Sequence, residues 1–134
     1  VPSIIRLSLY QIVFDPSSVS EEQVFAYSLP YRLNGGALAT LLTLQNYSND
    51  RVLEISQKYP FMNRPTLLVW GENDRLLPLA HFQKFCRALP KVKSLLIPAC
   101  GHIPHEEQPQ IVLSSVLPFL EAAFLPQNSS GDTL

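Results

Sequence analysis

Two stretches of the 134-residue chain decide its fold: residues 66–78, TLLVWGENDRLLP, and residues 94–106, SLLIPACGHIPHE. Each stretch opens on an apolar run, at residues 66–70 and 94–97, and each run ends at a glycine or proline that favours a turn. An apolar run without alternation is typical of a strand that is buried on both faces of a parallel sheet. The two runs therefore predict two buried strands.

A helix is predicted after each strand. Pro78 begins the first helix, in which Leu79 and Phe82 have the spacing of one apolar face. Gln108 and Pro109 open the second helix, and Pro118 inside it is expected to kink or shorten it. The order strand, helix, strand, helix is typical of a parallel α/β sheet.

Residues before Pro60 predict helices and loops. Ser20 and Gln23 have the spacing of a capping box, in which each side chain accepts a hydrogen bond from the other residue's backbone N–H. Helices are predicted at residues 21–29, at residues 37–45, and from Asn49 toward Ser56.

An acid and a histidine follow the two predicted strands. Asp74 lies four residues after the first strand, and His102 lies five residues after the second. Because parallel strands end at the same edge of a sheet, we expect the two side chains to meet there. A carboxylate that binds one imidazole N–H fixes the tautomer and stabilises the imidazolium. The histidine of such a pair can serve as a general base.

Taken together, the two stretches resemble the C-terminal part of the α/β-hydrolase superfamily, and the resemblance covers residues 65–121. It implies that Asp74 is the acid and His102 the base of a catalytic triad, in the family order nucleophile, acid, histidine. It also implies hydrolysis, through a covalent intermediate, of an ester or of a related carbon–carbon, epoxide or carbon–halogen bond in a small molecule.

Structural interpretations stand beside these catalytic ones. Asp74 can be a turn residue, with Glu72 as the replacement acid, and His102 can be a capping residue of the loop. The remaining polar or reactive side chains of the region are interpreted structurally: His81 as a surface residue, Cys100 as a small buried residue, and His105 and Glu106 as shaping the loop and capping the final helix.

The nucleophile that the resemblance calls for is missing from the sequence. The family nucleophile is a Ser, Asp or Cys in a turn of the type Gly-x-Ser-x-Gly, and no pair of the five glycines brackets such a residue. The oxyanion-hole segment and most strands of the family sheet are missing too. We therefore expect an incomplete sheet, which an N-terminal half or another copy of the chain completes, because an open apolar edge favours pairing.

Three segments are expected. Residues 1–59 form a helical cap, residues 60–125 the C-terminal part of the hydrolase core, and residues 126–134 a flexible tail. Four apolar or aromatic cap residues are candidates for lining a substrate pocket, although packing is the alternative interpretation. They are Phe25, Tyr27, Tyr31 and Leu41.

Composition excludes several classes of function. A formal net charge of -1 gives no reason to expect nucleic acid or an anionic membrane as a partner. No apolar run approaches the roughly 20 residues of a membrane span, and the N-terminus lacks the layout of a secretion signal. The two cysteines form no metal-binding pattern, and we expect neither a metal nor a cofactor. A cytoplasmic location is expected.

Two functions remain open. The first is a hydrolase fragment, inactive alone, that contributes the acid and the base. The second is a non-catalytic binding or assembly module that dimerises through its open sheet edges.

Overall fold

The computed structural model describes residues 2–46 and 49–124, so the predicted tail at residues 126–134 lies outside the described residues. The α-helices are α1 (Pro2–Ile12), α2 (Glu21–Ser28), α3 (Gly36–Gln45), α4 (Asn49–Ser56), α5 (Leu79–Ala88), α6 (Pro104–Glu107) and α7 (Pro109–Phe124). The strands are β1 (Thr66–Gly71) and β2 (Val92–Ile97), and short 3₁₀ turns occur at Pro16–Ser18, Leu29–Arg32 and Tyr59–Phe61. None of the helices within residues 2–46 and 49–124 combines the length and the hydropathy that a membrane span requires.

The two strands form a parallel sheet of two strands, with α5 as the connection between them. Their register runs from Thr66 opposite Val92 to Gly71 opposite Ile97, so both strands end at the same edge. The prediction of an α/β fold with an incomplete parallel sheet is confirmed. Burial is strongest at the carboxyl ends, at Trp70, Gly71 and Ile97, where the loops that follow the two strands pack against each other.

The helices before the sheet follow their sequence signals closely. The capping box of α2 is confirmed: Ser20 Oγ accepts from Gln23 N at 3.1 Å, and Gln23 Oε1 accepts from Ser20 N at 3.2 Å. The helix ends at Ser28, one residue before the predicted end, and Pro30 lies in the 3₁₀ turn that follows.

An apolar cluster joins the N-terminal helices to the loop after β2. Its buried members are Leu9, Val13, Val19, Val24 and Ile103. Ile103 directly follows His102, so α1 and α2 pack beneath the histidine loop.

Pro118 does not end the final helix. The helix α7 continues through Pro118 to Phe124, so of the two effects predicted for this proline, a kink or a shortening, the shortening does not occur. A proline inside a helix removes one N–H donor and crowds one preceding carbonyl. The helix continues in spite of this cost, and it packs against β1.

Candidate active site

Asp74 and His102 meet at the carboxyl edge of the sheet. His102 Nδ1 lies 2.8 Å from Asp74 Oδ2, and the two side chains are 28% and 5% exposed. Because an ionised carboxylate only accepts hydrogen bonds, Nδ1 is the donor. The proton of the neutral ring is therefore assigned to Nδ1, which leaves Nε2 as a proton acceptor.

The second oxygen of Asp74 is held by its own loop. Oδ1 accepts from Leu76 N and from Leu77 N, each at 2.8 Å. The backbone N–H of Asp74 donates to Gly71 O at 3.2 Å and closes a turn. Asp74 is thus a turn residue and the partner of the histidine at once, with one oxygen for each role.

Direct backbone contacts bring the two loops together. Glu72 N donates to Ile97 O at 2.9 Å, and Asn73 N donates to Cys100 O at 2.9 Å. A Cβ on Gly71 would lie only 2.0 Å from Gly101 O, so a residue without a side chain is required there. This close approach sets the separation of the acid and the histidine.

The histidine loop is also fixed from its other side. His102 N donates to Ile12 O, at the end of α1, at 2.8 Å. Glu107 accepts from the N–H groups of Gly101, Ile103 and Phe14. Sequence reasoning missed Glu107, and no local signal marks it, because Phe14 lies 93 residues away.

Cys100 is buried beside this pair. Its side chain is 0% exposed, in line with its interpretation as a small buried residue. Burial raises the pKa of the Cys100 thiol to about 11, and the negative charges of Glu107 and Asp74 add to the effect. A thiol held protonated is a poor nucleophile.

Glu106 binds α2. Glu106 Oε2 accepts from Gln23 Nε2 at 2.7 Å, and Oε1 accepts from Tyr27 Oη at 2.6 Å. Burial, aided by Glu106, raises the pKa of Tyr27 to about 12. His105 Nε2 lies 3.7 Å from Glu106 Oε1. Of the structural interpretations, loop shaping therefore describes Glu106 better than capping of α7.

The other polar candidates lie at the surface. Glu72 and His81 are exposed, as expected for a solvated loop carboxylate and a surface histidine. Neither is part of the Asp74–His102 pair.

The four predicted substrate-binding residues have different surroundings. Tyr27 reaches the histidine loop through Glu106, whereas Phe25, Tyr31 and Leu41 are 52%, 38% and 50% exposed. The guanidinium of Arg32 lies 5.4 Å from the centre of the Phe25 ring. Their assignment to a substrate pocket stays a prediction.

Within residues 2–46 and 49–124, no group of three or more His, Cys, Asp or Glu side chains is arranged to hold a metal ion. The chemistry that the pair itself supports is proton transfer at His102 Nε2.

Comparisons with known proteins bear on the family and the fold of the chain. The family model of the alpha/beta hydrolase fold matches residues 26–109. The uncharacterized hydrolase YugF of Bacillus subtilis (strain 168) is 27% identical over 114 residues, which cover 85% of this chain and 41% of that protein. The 2-hydroxy-6-oxo-6-phenylhexa-2,4-dienoate hydrolase of Delftia acidovorans is 26% identical over 98 residues, covering 73% and 34%.

Solved structures show the same fold. A meta-cleavage product hydrolase from Pseudomonas fluorescens IP01 (CumD) superposes with a TM-score of 0.75 at 18% identity, over 92% of this chain and 46% of that one. The chain thus spans less than half the length of each of these proteins.

Proposed function

The chain belongs to the α/β-hydrolase family, and from this membership we propose that it supplies the acid and the base of a hydrolase triad. Asp74 is the acid and His102 the base. The observation that carries the proposal is the 2.8 Å contact between His102 Nδ1 and Asp74 Oδ2, at the edge where two parallel strands end. The hydrolase names of the relatives support the reaction class.

In the proposed mechanism, His102 Nε2 takes the proton of the nucleophile as that group attacks the substrate. The imidazolium that forms is stabilised by Asp74, which is almost fully buried and already oriented by Leu76 N and Leu77 N. The imidazolium then gives its proton to the leaving group, and the neutral ring later activates the water that releases the product. The substrate is a small molecule with an ester or related bond.

The nucleophile and the oxyanion hole come from outside this sequence in the proposed enzyme. We propose that an N-terminal half supplies them and adds strands to the open sheet. Two observations support this arrangement: the sheet of the described residues has two strands, and the match covers only 41% of the Bacillus subtilis relative.

The helices before the sheet form the cap of the proposed enzyme. Phe25 and Leu41 are exposed on these helices and Tyr31 on the 3₁₀ turn after α2, and their apolar surface is available to a substrate. Tyr27 connects this cap to the histidine loop through its hydrogen bond with Glu106.

A chimera tests the proposal. The chain replaces the matching segment of the Bacillus subtilis relative, and nitrophenyl ester hydrolysis is measured against the intact relative. We expect activity that falls roughly 10⁶-fold with His102→Ala and roughly 10⁴-fold with Asp74→Asn. His81→Ala is the control, because His81 is an exposed histidine outside the pair, and it should leave the rate unchanged. Full activity in the His102→Ala chimera would exclude the proposed base.

The second candidate is the binding or assembly module. The two-stranded sheet of the described residues favours it, because its unpaired strand edges allow pairing between copies. A folded chimera that hydrolyses no ester, beside an active intact relative, would support this candidate over the enzyme fragment.

A further inference from the structure

One carboxylate, that of Glu107, accepts hydrogen bonds from the backbone N–H groups around His102. Glu107 Oε1 accepts from Gly101 N at 3.0 Å and from Ile103 N at 3.3 Å. Glu107 Oε2 accepts from Gly101 N at 3.0 Å and from Phe14 N at 2.7 Å. The carboxylate therefore binds the residues on both sides of the histidine and the end of the α1 segment.

The histidine's own amide completes the arrangement. His102 N donates to Ile12 O at 2.8 Å, so the amides of three consecutive residues, Gly101 to Ile103, are all bound. The two contacts of the loop with the N-terminal segment lie close together: Ile12 accepts directly from His102, and Phe14, two residues later, donates to Glu107. Glu107 and Ile12 together hold the loop against the end of α1.

Gly101 makes this arrangement possible. A Cβ at this position would lie 2.3 Å from Ile12 O, 2.8 Å from Phe14 N and 2.9 Å from Glu107 Oε1. Any side chain at residue 101 would displace either the carboxylate or the end of α1. The close contact of residue 101 with the α1 segment and Glu107 therefore requires a glycine at this position.

We propose that Glu107 is a positioning residue for His102. The inference rests on the proposed role of His102 as the base. Catalytic groups act only when they are held within a fraction of an ångström of their productive positions. Hydrogen bonds to an ionised carboxylate are stronger than those to a neutral acceptor, and Glu107 makes them to both neighbours of His102. Glu107 thereby keeps the imidazole on Asp74.

The neighbouring Glu106 provides a matched control. It lies in the same short helix and is also partly buried, but it binds the side chains of Gln23 and Tyr27. Glu106→Gln removes a charge close to the site and leaves the backbone bonds of Glu107 in place.

The first measurement uses the unmodified full chain. Amide hydrogen exchange followed by NMR should show protected N–H groups at Phe14, Gly101 and Ile103. Exchange of these amides as fast as in an unstructured chain would overturn the inference without any variant.

The second measurement compares Glu107→Gln with Glu106→Gln. Glutamine has one side-chain oxygen, which accepts, and an NH2 group, which only donates, so it cannot accept hydrogen bonds at both oxygen positions of Glu107. We expect exchange to rise roughly tenfold at Phe14 if the glutamine oxygen replaces Oε1, or at Ile103 if it replaces Oε2. The reference is a buried, hydrogen-bonded amide far from the site, that of Leu89. The His102 Nδ1–H signal should broaden or vanish. Glu106→Gln should change neither.

The outcomes separate the inference from the proposed function. If Asp74→Asn leaves the His102 Nδ1–H signal unchanged, the acid–histidine pair itself is wrong. If Asp74→Asn removes the signal but Glu107→Gln preserves both the signal and local protection, the pair stands and the positioning role is wrong. A purely structural Glu107 would raise exchange at Leu89 as much as at Phe14 or Ile103 and would leave the ring signal in the folded protein.

Discussion

At the scale of single residues, the site depends on two glycines at which a Cβ would clash with neighbouring backbone atoms. Gly71 and Gly101 let two loops touch, and Asp74 divides its oxygens between its own turn and His102. The sequence predicted Asp74 and His102 because each follows a strand at a fixed spacing. It could not predict Glu107, whose role depends on Phe14, a residue that only the folded chain brings near.

Replacement of Gly71 by alanine tests this tight contact. The new Cβ would lie 2.0 Å from Gly101 O, a backbone atom that cannot rotate away. We expect Gly71→Ala to lower the free energy of unfolding by roughly 1–3 kcal/mol, as overpacking does, in urea denaturation. Gly35→Ala is the comparison. Its φ of 81° would be strained in alanine, but a Cβ there has no neighbour within 4 Å, so a cost of about 1 kcal/mol is expected. An unaffected Gly71→Ala protein would contradict the contact.

The two cysteines provide a second test at this scale. Cys100 is buried and burial raises the pKa of its thiol to about 11, whereas Cys86 is only half-buried. Because the thiolate is the reactive form, Cys86 should react first with a thiol reagent at mildly alkaline pH, and Cys100 only after unfolding. Peptide mass mapping identifies the modified residue. Rapid labelling of Cys100 in folded Cys86→Ser protein would contradict its buried position.

At the scale of elements, local signals located most helices and strands. The capping box fixed the start of α2, and two apolar runs located β1 and β2. β2 begins at Val92, two residues before the predicted Ser94. The sequence did not indicate this start, because the exposed polar residues Lys93 and Ser94 separate Val92 from the apolar run. What each element packs against was not predictable, since the bonds between α2 and α6 join residues about 80 positions apart.

The partly buried hydrogen bond between Tyr27 and Glu106 should make the free energy of unfolding fall at alkaline pH. The pKa of Tyr27 is raised from 10.0 to about 12 in the folded protein, so the unfolded chain releases this proton first. The contribution is complete below pH 10 and is lost as the pH rises through about 12. Urea denaturation across this range should show a decline that Tyr27→Phe reduces. Tyr31→Phe, at an exposed tyrosine, should retain it. An identical decline in Tyr27→Phe protein would rule out the linkage.

At the scale of the whole molecule, a small sheet leaves much apolar surface uncovered. Leu38, Leu44, Leu53 and Phe61 are between 57% and 80% exposed. Both β1 and β2 are edge strands, since the sheet of the described residues has two strands. Unpaired edges and apolar surface favour association. The sequence predicted this incompleteness from the absent nucleophile and the small number of strands.

Association of the isolated chain follows from this surface. We expect sedimentation equilibrium to give a mass that rises with concentration, because apolar contact and strand pairing both become available between copies. Addition of the N-terminal portion of the Bacillus subtilis relative should compete with this association. A mass that stays monomeric at every concentration, with no binding of that portion, would contradict the proposal of a partner that completes the sheet.

The position of the imidazole proton tests the central claim most directly, and the isolated chain suffices for it. In ¹⁵N-labelled protein at a pH where the ring is neutral, the ring nitrogen shifts of His102 report which nitrogen carries the proton. The 2.8 Å contact with Asp74 predicts a protonated Nδ1 and a free Nε2, and Asp74→Asn should abolish this preference. A proton on Nε2, or a tautomer unchanged by Asp74→Asn, would contradict the assignment of Asp74 and His102 as an acid–base pair.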